Sequence, residues 1–397
     1  MSGLTRYITS TGLDLSSVFM PLSFGGPCPE TGYKLSSRAD LNTIFCKKYS
    51  NITSADKTSL LLSDGQDLSD IFDKRHIVGY SGTFQSVGVN NTAIRTIYPL
   101  DSENVYLGGD GGILRRWDGS SSTLNSILGE SLNNSVRVIY ARDTANLYIG
   151  GLFTNNFGKI NGTTYNSVGG INLNGNVLSI SALDPSNVYI AGSFTNSGNY
   201  MTRLNTYSDS FTTLQSSLNS TVRAIYALDP LNVYIGGSFT NATTGTNITR
   251  WDGTQFNKLG NGNGISSGGT IFDIYALDLS NVYIGGSFTT IDGVSAANIA
   301  KFNGTSFEQL GSGTNLSVRS IYALDQYHVY IGGSFTTAGG DSMNRITMWN
   351  GSNYTQVGSL FFDSIETLKI IKNNNSMLYV GGYTNQNTTG RMMLYRT

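Results

Sequence analysis

Charged residues are scarce in this chain of 397 residues, where they make up 13%, against about 25% in ordinary soluble domains. The net charge is -1 at pH 7, so the chain lacks the basic surface that attracts nucleic acids and anionic membranes. No apolar run approaches the ~20 residues that cross a bilayer. The start at Met1 also lacks the apolar core of a secretory signal. We therefore expect no nucleic-acid partner, no membrane insertion and no secretion by such a signal.

Cysteine and histidine are nearly absent, with two residues of each. Cys28 and Cys46 could form one disulfide, but two cysteines fit reduced thiols equally well. His76 and His328 stand far apart, and both are expected to be structural. The sequence contains neither the paired Cys/His spacing of a zinc site nor the acidic spacing of a calcium loop. We expect no metal and no cofactor.

One unit is repeated through most of the chain. Its fullest form, Ile-Tyr-Ala-Leu-Asp-x-x-Asn-Val-Tyr-Ile-Gly-Gly-Ser-Phe-Thr, starts at Ile225 and Ile274, and at Ile321 with His in place of Asn. The copies follow one another at intervals of 42, 41, 45, 49, 47 and 47 residues, and their first strands begin at Ile94, Val136, Val177, Val222, Ile271, Val318 and Ile365. A period of about 40 to 50 residues is typical of β-propeller blades.

The pattern within one copy predicts four strands. In the fourth copy, residues 222–228 and 233–239 are rich in β-branched and aromatic residues, and turn residues separate them. A third strand ends at Trp251, and Asp252-Gly253 then gives a strong hairpin signal before a fourth strand. Each copy is therefore predicted to be a four-stranded antiparallel meander.

The two ends of the repeat array complement each other. The seventh copy stops at Thr397 without a fourth strand, whereas residues 80–88, before the first copy, match the fourth-strand element at residues 303–311. An N-terminal outer strand would complete the last blade and close the ring, which leaves only short sheet edges. The predicted fold is all-β, a seven-bladed propeller spanning residues 75–397.

Residues 1–74 follow a different repeat. Asp-Leu-Ser/Asn-x-Ile/Val-Phe begins at Asp14, Asp40 and Asp67, so each Asp can cap a short helix with three apolar side chains on one face. Units this short cannot bury that face alone. Either the segment caps the propeller, or it docks on a partner or self-associates through Leu15, Val18, Phe19, Leu41, Ile44, Phe45, Leu68, Ile71 and Phe72.

Both repeats resemble known proteins. The Gly-Gly-Ser-Phe-Thr and Trp-Asp/Asn-Gly-x-x-Phe/Tyr elements resemble repeats of secreted and cell-surface β-propellers, with a kelch-like diglycine in the second strand. The N-terminal repeats, with Thr31-Gly-Tyr-Lys34, resemble short repeats at the N-termini of structural proteins of large DNA viruses. This second resemblance implies a virion protein that attaches to a capsid or another virion component and is assembled in the host cytoplasm. A cell-surface or extracellular location is the alternative.

The candidate site is formed by the second residue of the predicted innermost strand in each of the seven copies. These residues are Arg95, Arg137, Leu178, Arg223, Phe272, Arg319 and Glu366. The predicted ligand-binding set is Arg95, Arg137, Arg223, Arg319 and Glu366, because arginines around a channel mouth could hold an acidic sugar or carboxylate through bidentate contacts. In the alternative, the arginines pair with Glu366, Asp273 or loop carbonyls and only seal the channel.

A repeated aspartate does not suggest catalysis. Each one begins the turn between the first two strands, where its side chain can accept backbone N–H groups; the residues are Asp101, Asp143, Asp184, Asp229, Asp278 and Asp325. We therefore expect a non-enzymatic protein whose propeller binds a host glycan or protein. A propeller glycosidase or lyase and a cellular peptide-binding scaffold are the alternatives.

Overall fold

The computed structural model describes residues 84–90, 92–119, 124–128, 132–170, 172–214, 218–241, 245–358, 362–370, 377–384 and 389–396. The chain divides into two units, Met1–His76 and Ile77–Thr397, and only the second contains described residues. The N-terminal repeats with their nine apolar positions, Cys28, Cys46 and His76 lie outside them. The short helices, the anchor and the boundary after residue 74 therefore stay predictions.

Strands of the closing element and of blades one to four come first along the chain. They are β1 (Phe84–Asn90), β2 (Ile94–Asp101), β3 (Asn104–Gly109), β4 (Leu114–Trp117), β5 (Asn125–Ser126), β6 (Val136–Asp143), β7 (Asn146–Gly151), β8 (Phe157–Asn161), β9 (Thr164–Asn166), β10 (Val177–Asp184), β11 (Asn187–Gly192), β12 (Met201–Asn205), β13 (Ser210–Thr213), β14 (Val222–Asp229), β15 (Asn232–Asn241), β16 (Gly245–Trp251) and β17 (Phe256–Lys258). A short 3-10 turn occupies Asp110–Gly112.

Blades five to seven follow, with a small two-stranded hairpin inserted in each of blades five and six. Their strands are β18 (Thr270–Asp278), β19 (Asn281–Ser287), β20 (Thr290–Ile291), β21 (Val294–Ser295), β22 (Ile299–Phe302), β23 (Phe307–Gln309), β24 (Val318–Asp325), β25 (His328–Gly333), β26 (Thr337–Ala338), β27 (Asp341–Ser342), β28 (Ile346–Trp349), β29 (Tyr354–Gln356), β30 (Ser364–Ile370), β31 (Met377–Thr384) and β32 (Thr389–Arg396).

These strands form seven four-stranded antiparallel sheets, which confirms the predicted propeller. Six sheets are built from consecutive repeat strands, and the seventh has the order β1-β32-β31-β30. In that sheet Phe84 lies opposite Tyr395 and Asn90 lies opposite Gly390. The last blade therefore takes its outer strand from the N-terminal side of the repeats, as predicted. Hydrogen bonds between distant parts of the chain close the ring.

The diglycine of the second strand lets the blades pack closely. A Cβ on Gly236 would lie 2.6 Å from the Ile271 Cγ2 atom, at the start of the next blade's inner strand. A Cβ on Gly237 would lie 2.2 Å from the Thr221 carbonyl oxygen, on the backbone that enters its own blade. Each second strand also carries a tyrosine two positions before its Gly-Gly or Ala-Gly pair. In all seven blades this tyrosine is 3% exposed or less: Tyr106, Tyr148, Tyr189, Tyr234, Tyr283, Tyr330 and Tyr379. These tyrosines are therefore part of the buried core of the propeller.

The repeated aspartates are turn residues, as predicted. Asp229 Oδ1 accepts the N–H of Leu231 at 2.8 Å, and Asn232 Nδ2 donates to both carboxylate oxygens at 3.0 and 2.9 Å. The sixth repeat keeps this geometry with a different residue, since His328 Nδ1 lies 2.9 Å from both oxygens of Asp325. His328 therefore acts as a substitute for the turn asparagine.

Candidate functional site

Every innermost strand carries a β-bulge near its start, at the second residue in five blades and at the third residue in β18 and β30. In β14, Val222 pairs with Gly237 and Ala224 pairs with Gly236, so Arg223 has no residue opposite it. The same register shift occurs in the six other blades. A bulge adds one residue and changes the direction of a side chain. The seven bulged residues are therefore the same seven positions that the sequence singled out, and the repeat places them at one level of the ring.

A central cavity of about 500 Å³ connects these residues. All five predicted ligand-binding residues line it, together with Leu178 and Phe272. Three positions further along the inner strands, the lining consists mostly of tyrosines, with one serine and one lysine: Tyr98, Ser181, Tyr226, Tyr275, Tyr322 and Lys369. The volume lies within the ~300 to 1,000 Å³ of small-ligand sites. The channel is therefore large enough to admit part of a ligand through its arginine-lined mouth.

In blades seven, one and two, which form one half of this mouth, nearby carboxylates neutralise the arginines. Arg95 Nε donates to Asp110 Oδ2 at 3.0 Å, and Arg95 Nη1 lies 3.2 Å from Glu366 Oε2. Ser135 Oγ donates to Asp110 Oδ1 at 2.6 Å, and Arg137 Nη2 lies 3.7 Å from the same oxygen. Two carboxylates thus balance two guanidinium groups. This pairing matches the alternative reading of the arginines, but only for this half.

Electrostatics support a true ion pair in this half. Burial would raise the pKa of Asp110, but hydrogen bonds from Arg95 and Ser135 outweigh it and hold the pKa below its usual range. Burial would likewise lower the pKa of Arg95, whereas its hydrogen bond to Asp110 and the charge of Glu366 raise it. Both partners therefore favour their charged forms.

Asp110 is the functional residue that sequence reasoning missed. It stands where four other copies carry a serine after the second glycine of the strand, in Ser193, Ser238, Ser287 and Ser334. Aligning the seven copies would have shown this single acidic substitution. The contact of Asp110 with Arg95, 15 residues earlier, could not be predicted from the sequence. The bulge in β2 sets the direction of the Arg95 side chain, and only the structure shows that bulge.

Blades three to six form an open half with the bulged residues Leu178, Arg223, Phe272 and Arg319. Across the described residues of the chain, no carboxylate lies within 4.0 Å of the nitrogens of Arg223 or Arg319. Arg319 Cζ lies 4.2 Å from the centre of the Phe272 ring, and its buried Nε has no hydrogen-bond partner. Burial and the positive charge of Arg319 lower the pKa of Arg223. Within the described part of the chain, the two cations of this half therefore have no carboxylate partner.

Asp273 does not neutralise them. Its Oδ1 accepts the N–H of Ile274 at 2.9 Å, and its Oδ2 accepts the N–H of Ile321 in the next blade at 2.7 Å. Ser320 links to the following blade in the same way, by accepting the N–H of Leu368. Burial raises the pKa of Asp273, although the charge of Lys369 opposes this. The proposed pairing of an arginine with Asp273 is therefore not found, and Asp273 ties two blades together.

Among the described residues, no group of three or more His, Cys, Asp or Glu side chains is placed to bind a metal ion. Over the same residues, no helix is long and apolar enough to cross a membrane.

Comparison with known proteins shows the fold and nothing finer. No family model matches the chain, and no curated protein matches it. The WD40 β-propeller domain of Doa1 is similar over 79% of this chain and 97% of its own, with 15% identity and a TM-score of 0.58. U3-55K is similar over 79% and 98%, with 11% identity and a TM-score of 0.57. An extracellular domain assigned to a hybrid two-component system of B. thetaiotaomicron is similar over 79% of this chain and 39% of its own, with 14% identity and a TM-score of 0.57.

At these identities the similarity establishes the β-propeller architecture alone. The kelch-like and viral resemblances stay predictions.

Proposed function

We propose that this chain is a non-enzymatic binding protein whose propeller recognises an anionic group of a partner at the channel mouth. The observation that carries this proposal is the open half, where Arg223 and Arg319 face the cavity without a counter-ion in the described chain. Partly buried charges are costly unless they are paired. A carboxylate or similar oxyanion on a partner would supply the missing charge and accept bidentate hydrogen bonds.

Side-chain hydrogen bonds join neighbouring segments of the rim around the mouth. Asn219, in the loop that enters blade four, accepts the N–H of Thr240 at 2.9 Å and donates to its hydroxyl at 3.2 Å. The pair Asn315 and Thr336 repeats this latch at 2.9 and 2.8 Å in blade six. The first latch joins the entering loop to the end of β15, and the second joins it to the segment between β25 and β26. A rim fixed in this way loses little conformational entropy on binding.

The arrangement of the carboxylates favours recognition over catalysis. A glycosidase or lyase needs carboxyl groups that are free to face a sugar. Glu366 instead contacts Arg95 and accepts a hydrogen bond from Ser364 at 3.0 Å, and both oxygens of Asp273 accept backbone N–H groups. Turnover of a sugar polymer that is lost in Glu366→Gln would reverse this conclusion.

The finer proposal places the chain at a virion surface, where residues 1–74 attach to a capsid component or to another copy and the propeller meets a host protein or glycan. Its support is the resemblance of the three N-terminal repeats to viral structural proteins. Sedimentation of the full chain and of a chain starting at Arg75, each with purified virion shell protein, tests it. Co-sedimentation of the full chain alone is expected, and equal behaviour of both chains would refute the anchor.

Anion-dependent melting tests the binding site itself. A bound anion stabilises the folded state by RT ln(1 + [L]/Kd), so sodium acetate or sulfate should raise the melting temperature more than sodium chloride of equal ionic strength. Because sulfate also stabilises folded proteins in general by exclusion from their surface, the Arg223→Gln/Arg319→Gln double variant should lose only the part of the gain that the site supplies. Arg116→Gln, at an exposed strand position outside the cavity, is the matched control. If the double variant gains as much stability from acetate and sulfate as the unmodified protein does, the proposed site is wrong.

A further inference from the structure

The open half of the mouth alternates apolar and cationic side chains. In blades three, four, five and six the bulged residues are Leu178, Arg223, Phe272 and Arg319. All four line the central cavity. We call these four residues the amphipathic arc. Because the seven bulges are equivalent in backbone geometry, the alternation comes only from the choice of residue in each copy.

We propose that the amphipathic arc binds the C-terminus of a partner polypeptide that ends in an apolar residue. This inference rests on the proposed function, and it specifies the chemistry of the anion. The terminal carboxylate lies between Arg223 and Arg319 and accepts hydrogen bonds from both guanidinium groups. The apolar side chain of the same residue packs against Leu178 or Phe272 and enters the channel.

The stacking of Arg319 favours a planar carboxylate. Its guanidinium lies over the Phe272 ring with 4.2 Å between Cζ and the ring centre. A guanidinium held by its face keeps its N–H groups directed outward in its own plane, which suits two parallel hydrogen bonds to a carboxylate. Its Nε is buried and has no hydrogen-bond partner among the described residues, so it is a donor that such a ligand can satisfy.

A chain end fits this site better than an internal acidic residue. The ligand must enter a channel mouth that latched loops surround on the same face. An internal Asp or Glu would bring two chain segments into the mouth, whereas a terminus brings one. A terminal residue also carries its carboxylate and its apolar side chain on one Cα atom, which matches the neighbouring cationic and apolar positions of the arc.

The opposite half of the mouth directs an anion toward the arc. Asp110 and Glu366 already form ion pairs with Arg95, and Asp110 Oδ1 also lies 3.7 Å from Arg137 Nη2. A second anion placed there would meet two carboxylates. The arc contains no acidic residue at the bulged level, so it is the favourable place for a negative charge.

Fluorescence polarisation with the full chain tests this assignment. The probes are labelled short peptides, randomised except for a C-terminal leucine or phenylalanine, with either a free carboxylate or a C-terminal amide. We expect free-acid peptides to bind at least tenfold more tightly than their amides. Arg223→Gln and Arg319→Gln should each weaken binding about tenfold to one hundredfold, the range for one hydrogen bond to a charged group. Arg116→Gln should leave binding unchanged, and melting curves should confirm that all variants fold.

Two further arms identify the source of the carboxylate and separate the two proposals. Free 4-phenylbutanoate that binds as tightly as the best peptide would assign the site to small amphipathic acids and overturn the peptide assignment. Equal binding of acids and amides, or equal binding by the two arginine variants and the unmodified chain, would also overturn it. If acetate and sulfate still stabilise the protein through Arg223 and Arg319 in that case, the proposed function survives while this inference fails.

Discussion

Replacing Gly237 by alanine should destabilise the propeller much more than the same change at Gly236. A Cβ at position 237 would lie 2.2 Å from the Thr221 carbonyl oxygen and 2.9 Å from the Val222 Cα atom. That carbonyl also accepts the N–H of Ser238 at 2.9 Å, so it cannot rotate away without losing a hydrogen bond. Close carbon–oxygen contacts in sheets lie at about 3.3 Å or more, so the backbone would have to move by roughly 1 Å. We expect a loss of about 3 kcal/mol or more.

At Gly236 an added Cβ would meet side chains and not backbone. A Cβ at position 236 would approach the Ile271 Cγ2 atom at 2.6 Å and the Ile274 Cδ1 atom at 3.0 Å. Both are methyl groups of side chains, which can adjust without breaking a hydrogen bond. Blade three already carries Ala191 at this position, where it is completely buried. We therefore expect a loss of about 1 to 2 kcal/mol for Gly236→Ala.

Urea unfolding of the full chain, with the midpoint and slope measured for each variant, checks this difference. Ala191→Gly is the control, because it should cost only the conformational entropy and packing of one methyl group, about 1 kcal/mol. If Gly237→Ala were as stable as Gly236→Ala, the close approach of the second strand to the entering backbone would be wrong. The blade packing derived from the diglycine would then have to be revised.

Three more predictions follow from single features. Arg345 has a φ of 66° at a position where blade five carries Asn298 with a φ of 65°; Arg345→Asn should raise the free energy of unfolding by about 1 kcal/mol in urea titrations, because asparagine tolerates this region better. Asp110→Asn should lower the free energy of unfolding by about 1 to 2 kcal/mol. Because folding lowers the pKa of Asp110, this loss relative to the unmodified chain should have its full size above the unfolded pKa of 3.8. It should shrink as the pH falls through the folded pKa, which urea titrations at several pH values would show. A chain of residues 75–397 should keep one cooperative thermal transition, because the closing strand begins after residue 75, and loss of that transition would refute the predicted boundary.

The architecture could be predicted because each blade repeats the same local chemistry. The turn aspartates, the Asp-Gly and Asn-Gly hairpins and the alternating strands recur in copy after copy, so an error in one copy would be corrected by the others. Closure was also predictable, because the segment around Phe84 repeats the fourth-strand pattern that the seventh copy lacks. Local signals of this kind act over a few residues and do not depend on distant contacts.

The site could be predicted only in part. The sequence placed Arg223 and its equivalents at one mouth, but it did not show the bulge that turns them, because a bulge is a mismatch between two strands. It also missed Asp110, whose contact with Arg95 divides the mouth into a neutral half and an open half. That division depends on side-chain geometry across a loop, which a repeat pattern alone does not encode.

The repeat offers one more test, because blade four can be given the counter-ion of blade one. Arg95 and Asp110 are 15 residues apart, and Arg223 and Ser238 have the same spacing at equivalent positions. Ser238→Asp should therefore place a carboxylate beside Arg223 and neutralise it within the blade, while both arginines of the open half remain. We expect the stabilisation by acetate and sulfate to fall as it does in Arg223→Gln, without loss of folding stability.

Ser193→Asp, in blade three, is the matched control, because the bulged residue of that blade is Leu178 and offers no cation to neutralise. If Ser238→Asp left the anion effect intact, the charge of Arg223 would not be what binds the anion. The recognition chemistry of this propeller would then have to lie outside the bulged positions, even though these are the positions where the seven copies differ most in charge around the channel.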